Sequence, residues 1–153
     1  MMKKIILILS QTIASFLLLV TSVQAQDLTV TEGFIRESIP GTTISSAYMT
    51  LTNTSEKSMT LVGVSSKVSA RIEIHEHTMA NGMMSMGQVE SIVIGSKDTV
   101  ILQPSGLHLM IFDIEAPLKH GDLISLTLHL SSQSTVEVQL PVQGIKRRQH
   151  HHH

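Results

Sequence analysis

Cysteine is absent from this sequence and so is tryptophan; one tyrosine and three phenylalanines complete the aromatic set, and charged residues fill only 15% of the 153 positions. Each shortage removes a class of function. Without cysteine there is no thiolate metal cage, no thiol redox couple and no lipidated cysteine. A blue-copper electron-transfer centre is excluded as well, because it needs a Cys thiolate beside two histidines. Disulfides cannot hold the fold together, so its stability must come from packing alone. Hydrophobic residues make up 42% of the chain, enough at this length for one real core and one compact domain.

The first segment reads as something other than that domain. Lys3 and Lys4 make a positive start, Ile5 to Val20 form an apolar run softened by Ser10, Gln11 and Thr12, and Val23-Gln24-Ala25 supplies small residues in a cleavage pattern. Residues 1–25 are therefore expected to be a secretory signal peptide, with the mature chain starting at Gln26. The competing reading, an uncleaved membrane anchor, needs roughly 20 apolar residues. Loss of Lys3 and Lys4 leaves nine Lys and Arg against twelve Asp and Glu, a net charge of −3 with histidine neutral. That balance gives no footing for nucleic acid, and the one basic cluster, Lys146-Arg147-Arg148, lies in the tail.

The remaining chain reads as all-β. Residues 44–53, 59–64, 71–77, 89–94, 99–102, 107–114, 123–130 and 136–142 are short, often alternating, and rich in Val, Ile, Leu and Thr. Asn53-Thr54-Ser55-Glu56-Lys57, Asn81-Gly82, Gly95-Ser96-Lys97-Asp98, Pro104-Ser105-Gly106 and His120-Gly121-Asp122 carry turn chemistry between them. Many short strands at this spacing point to a two-sheet sandwich or a small barrel, expected to occupy residues 26–142 with a tail over 143–153.

Against so spare a background, HEHTMANGMMSMG stands out: residues 75–87 hold two histidines and four methionines. In Arg71-Ile72-Glu73-Ile74-His75-Glu76-His77, alternation sends Ile72 and Ile74 to the core and Glu73, His75 and His77 to the other face. Asn81-Gly82 suits a tight hairpin turn, which leaves Met79, Met83, Met84 and Met86 on or beside a loop. Singly, such methionines would be core filler; grouped beside histidines they read differently. A second motif, Leu107-His108-Leu109-Met110-Ile111-Phe112, points His108 and Met110 one way and Leu109 and Ile111 the other. Neutral imidazole with thioether favours copper, above all soft Cu(I). Zinc prefers Cys, His and carboxylate, and calcium or magnesium would want an oxygen cage.

The spacing of these residues, with ten positions between His75 and Met86, twenty-one between Met86 and His108, and one between His108 and Met110, resembles the signature of the PCu(A)C family of periplasmic copper chaperones. The likeness extends over roughly residues 28–142 through SAYMTLTNTSEKSMTLVGVSS, RIEIHEH, GDLISLTLHLSS and STVEVQLPV. It implies a cupredoxin-like Greek-key β-sandwich holding one Cu(I) through His75, Met86, His108 and Met110. It further implies a periplasmic carrier rather than an enzyme, delivering copper to the cytochrome c oxidase subunit that carries the CuA centre, alongside Sco-type chaperones.

His77 stands where many family members have methionine, and reads equally as an auxiliary ligand favouring Cu(II) or as an exposed histidine. Met79, Met83 and Met84 read as a secondary shell or a partner-facing patch. His120, in a turn, and His129, on a strand, read as structural or surface residues. His150, His151, His152 and His153 end the chain; a natural Cu(II)-capturing tail and the remnant of an expression tag are both open. Rival readings are a copper-sequestering protein with no dedicated recipient and a copper redox enzyme drawing imidazoles from His75, His77 and His108.

Overall fold

The computed structural model describes residues 27–144. The expected signal peptide, the start of the mature chain and the terminal histidines lie outside the described residues. Ten strands follow one another: β1 (Leu28–Arg36), β2 (Ser45–Asn53), β3 (Met59–Ser66), β4 (Arg71–Ala80), β5 (Met83–Val89), β6 (Ile92–Ile94), β7 (Thr99–Leu102), β8 (Leu107–Phe112), β9 (Leu123–Leu130) and β10 (Thr135–Gln143). Among the described residues there is no helix. The all-β expectation and the cupredoxin-like sandwich hold.

The strands pair in the order β5-β4-β8-β2-β1-β10-β9-β3-β6, with β7 also on β2. One layer contains β5, β4, β8, β2, β7 and β1; the other contains β10, β9, β3 and β6. A short parallel contact of β1 with β10, Ile35 beside Val142, joins the two. Between the layers lie Ile35, Met49, Leu51, Leu61, Ile94, Leu109, Ile111, Leu126 and Leu128, all fully buried. At about 25 cal/mol per Å2 of apolar surface removed from water, this aliphatic interior replaces the missing disulfides as the source of stability. Asn53 is the polar exception: its amide nitrogen donates to the carbonyls of Lys57 and Gly95, both at 2.8 Å, and its oxygen accepts the Ser55 N–H at 2.9 Å. With its groups satisfied, this buried amide ties the end of β2 to the turns around β3 and β6.

Three departures from the sequence pattern have local causes. The first strand, β1, is not among the expected ones because a bulge interrupts its alternation: Thr31 pairs with Thr50 and Phe34 with Tyr48, so β1 spends one extra residue. Glu32 takes a positive φ of 53° there, and Gly33 lies against Leu140 where a Cβ would collide with its side chain. Leu28 is inward before the bulge and Ile35 after it, so the bulge reverses the parity of the strand. The single strand expected over 89–94 is broken at Glu90-Ser91: Val89 closes β5 in one layer, and β6 pairs with β3 in the other. Finally, β10 runs to Gln143, one residue past the expected domain end.

Candidate metal centre

Three adjacent strands, β5, β4 and β8, build one outer face of the sandwich. On β4, His75 lies opposite His108 of β8, and Glu73 lies opposite Met110; on the other side of β4, His77 lies opposite Met86 of β5. Directly opposed residues share a face, so the pairing gathers all four expected ligands, and His77 with them, on one surface. The inward partners are those the alternation gives: Ile74, Leu109 and Ile111 are buried in the core. The supposed methionine loop is instead two strands of a hairpin, paired to Ala80 opposite Met83. Asn81 (φ 52°) and Gly82 (φ 76°) form its two-residue turn, the positive-φ geometry that matches strand twist. Met79 and Met84 form the outermost pair on the face of His77. Met83, opposite Ala80, falls on the reverse face and is separated from the other methionines.

The histidines are held in defined orientations. The His108 Nδ1–H donates to the Gly106 carbonyl at 2.9 Å, which leaves Nε2 with its lone pair free of the backbone. Here the turn that begins β8 also selects the tautomer. The His75 Nε2–H donates to the Glu73 carboxylate at 2.8 Å, and the Arg71 Nε–H donates to the other oxygen of Glu73 at 2.9 Å. Arg71 in turn lies 4.1 Å from the centre of the Phe112 ring, a cation–π contact. The His75 hydrogen bond, with Arg71 adding to it, holds the Glu73 carboxyl below its ordinary pKa of 4.5 against the opposing effect of burial.

With Nε2 committed to Glu73, His75 presents Nδ1, and this atom is buried without a hydrogen-bond partner; the Nδ1 of His77 is in the same position. Buried polar atoms are normally paired, so two orphaned imidazole nitrogens on one face point to a ligand. Carboxylate-to-histidine support of the kind Glu73 gives is a common feature of metal-binding histidines. Burial pushes the His108 pKa below 6.5, His77 and His75 add to that, and the Gly106 carbonyl opposes it. A neutral ring is the form that can ligate a metal.

Aromatic packing fixes the rings further. His77 stacks on His108 with centroids 5.1 Å apart, Tyr48 lies 6.4 Å from His108, and Phe112 lies 5.9 Å from His75. Phe34 packs on Tyr48 at 5.1 Å. Phe34, Tyr48 and Phe112, the Phe and Tyr residues among those described, thus sit on the histidine face. The Ser46 hydroxyl donates to the Met110 sulfur at 3.5 Å. His75 and His108 are 9% and 3% exposed, whereas Met86 is 47% exposed. The face therefore has buried imidazoles and an open thioether side. Sequence reasoning placed Glu73 on this face without assigning it a role, and missed Ser46, Tyr48 and Phe112; their signal was the same two-residue alternation, lost on residues that do not ligate metals.

His120 and His129 are elsewhere. His120 Nδ1 accepts the Gly144 N–H at 3.1 Å, and His129 Nε2 is hydrogen-bonded to the Ser65 hydroxyl at 2.7 Å. Both lie away from the histidine face and are engaged in exposed hydrogen bonds, in keeping with a structural or surface reading.

The LpqE-like family model, described as "Putative lipoprotein LpqE-like", matches residues 28–142. The chain is 31% identical over 120 residues to a protein of Leifsonia xyli subsp. xyli, Lxx21020, covering 78% of this chain and 71% of that one. It is also 31% identical over 99 residues to RP573 of Rickettsia prowazekii, of whose length it spans 55%. Among solved structures, the Cu(I) form of DR1885 from Deinococcus radiodurans matches with 30% identity and a TM-score of 0.65, covering 80% of this chain and 83% of that one. The copper-bound PCuAC domain of PmoF2 shares the fold at 19% identity, with a TM-score of 0.67 and coverage of 78% and 95%. From the family match over nearly the whole sandwich, the chain belongs to the LpqE-like family, and it has the fold of PCuAC domains.

Proposed function

We propose that this protein is a copper chaperone that carries one Cu(I) on His75, Met86, His108 and Met110 and releases it to a cuproenzyme in the periplasm. The observation that carries the reading is the orphaned Nδ1 of His75, on a ring turned by Glu73 and set directly opposite His108, with Met110 and Met86 on the same face. Among the described residues no three His, Cys, Asp or Glu side chains converge on a metal-sized site, and the reading draws on the thioethers of Met86 and Met110 to complete the shell. The copper-bound relatives DR1885 and PmoF2 support the choice of metal.

The chemistry suits a carrier. Two imidazoles and two thioethers are all neutral, so bound Cu(I) keeps its single charge and is held less tightly than by thiolates. The ion is the cargo here, and the protein's residues do the positioning: Glu73 and the Gly106 carbonyl fix which nitrogen of each ring faces it, while the aromatic packing holds both rings. The half-exposed Met86 leaves one side open to an incoming ligand from a partner, so a new bond can form before the old ones have all broken. The family resemblance makes the CuA subunit of cytochrome c oxidase, with Sco-type chaperones, the recipient to test first.

Copper X-ray absorption on the ascorbate-reduced protein tests the site. One Cu(I) with mixed nitrogen and sulfur neighbours, and loss of the sulfur shell in Met86→Leu, Met110→Leu, is the expected result. A nitrogen-only shell in the parent protein sinks the reading. Sequestration predicts the same site; it differs in that deletion of the gene would leave oxidase assembly intact while raising sensitivity to copper.

A further inference from the structure

The hairpin tip continues the soft-donor face outward. Moving from the centre of β4 to its end, the opposed pairs are His75 with Gln88, His77 with Met86, and Met79 with Met84. Met79 and Met84 are 66% and 61% exposed, so neither fills a core gap, which is the usual employment of methionine. Elsewhere in the described domain the exposed large apolar residues are Ile39, Ile44, Val62, Val93, Ile101 and Leu123. On the hairpin all four are methionine. A patch needing only apolar area would show the same mixture as the rest of the surface; this one shows sulfur. Next to it, the buried Nδ1 of His77 has no hydrogen-bond partner, and His77 is one pair inward of Met79 and Met84.

We propose that His77, Met79 and Met84 form a second, outer Cu(I) position on the hairpin, through which the ion passes on its way into or out of the inner site. The proposal rests on the inner site described above. Directly opposed residues have Cβ atoms about 4.5–5.5 Å apart, and two residues along a strand span about 6.7 Å. Flexible thioethers can therefore share an ion across the hairpin and with the next pair inward. The copper stays Cu(I) throughout: one thioether or imidazole bond forms as another breaks, with no electron or proton transferred. Because Met86 is opposed to His77, it belongs to the inner shell and borders the outer one, which makes it the residue an ion would move across. Soft neutral donors favour Cu(I) and its analogue Ag(I) over harder divalent ions.

The test is methyl NMR on the full chain labelled at the methionine methyls, titrated with Ag(I), a redox-silent stand-in for Cu(I). Each methyl reports its own sulfur, so binding at the terminal histidines does not mask the result. The expected result is two phases: Met86 and Met110 shift first, then Met79 and Met84. In Met79→Leu, Met84→Leu, which keeps the apolar area and removes the sulfur, the second phase is lost from the hairpin and the first keeps its affinity within about twofold. If Met79 and Met84 stay unmoved at saturating Ag(I) while Met86 and Met110 respond, the outer position is overturned and the inner one stands. If Met79 and Met84 respond while Met86 and Met110 do not, the outer pair stands as a metal site and the four-ligand reading falls. Loss of the first phase in the double variant merges the two positions into one and overturns the proposal.

Discussion

The two outer faces of the sandwich each present histidine, His75 from the middle of β4 and His129 from near the end of β9, and their surroundings differ. On the β9 side, His129 is hydrogen-bonded to Ser65, and beside it the Thr127 hydroxyl donates to Glu137; hydroxyls and a carboxylate satisfy one another. On the β4 side, His75 and His108 each spend one nitrogen on a fixed acceptor, His75 and His77 keep a buried nitrogen unpaired, and Met86 and Met110 share their face. Residue type is the same on both faces. What separates them is that His75 and His77 each hold a buried ring nitrogen without a hydrogen-bond partner, whereas His129 has its Nε2 on a hydroxyl.

Removing the imidazoles that distinguish the faces should give the largest effect. His75→Ala or His108→Ala is expected to weaken Cu(I) binding by at least about 100-fold in competition with a chromophoric chelator, since each removes one of the four proposed ligands. Glu73→Gln sharpens the contrast without touching a ligand. It keeps the size but loses the ionised acceptor of His75 and the partner of Arg71, and affinity should fall about 10- to 100-fold. Gly33→Ala tests the scaffold: the added methyl meets the Leu140 side chain, and the overpacking should cost about 1–3 kcal/mol, seen as a lower Tm with copper stoichiometry preserved. Smallest of all is His129→Ala, which should shift stability by about 0.5 kcal/mol or less and leave Cu(I) affinity unchanged. A large loss of copper from His129→Ala would erase the distinction between the faces.

Much of this was legible before any coordinates. Alternation separates Ile72 and Ile74 from His75 and His77 on one strand, and Leu109 and Ile111 from His108 and Met110 on another, because a strand's period of two is a local property. The Asn81-Gly82 turn was readable from its chemistry. What alternation could not supply was anything that needs two distant segments at once. That His75 faces His108 is a matter of register between β4 and β8, and that Glu73 orients His75 becomes visible only when the side chains are placed. The Asn81-Gly82 turn chemistry by itself puts the methionines on or beside a loop, whereas pairing to β4 carries the ladder up to the turn. β1 was missed because its bulge breaks the very periodicity by which a strand is recognised.

That bulge has a consequence for how the protein can vary in length. Thr31 to Phe34 is a counting point: its extra residue lets Leu28 and Ile35 both face inward and sets Phe34 against Tyr48. Loss of one residue there would exchange the destinations of Phe34 and Ile35, placing an aromatic ring between the layers and withdrawing the support behind Tyr48 and His108. A loop absorbs a deletion of this kind; here it would be read as a frame error by the whole edge of the histidine face. Lineages of this fold should therefore gain and lose residues in the turns near Thr54–Lys57 and Ser131–Ser134 and hold the count between Thr31 and Phe34 constant.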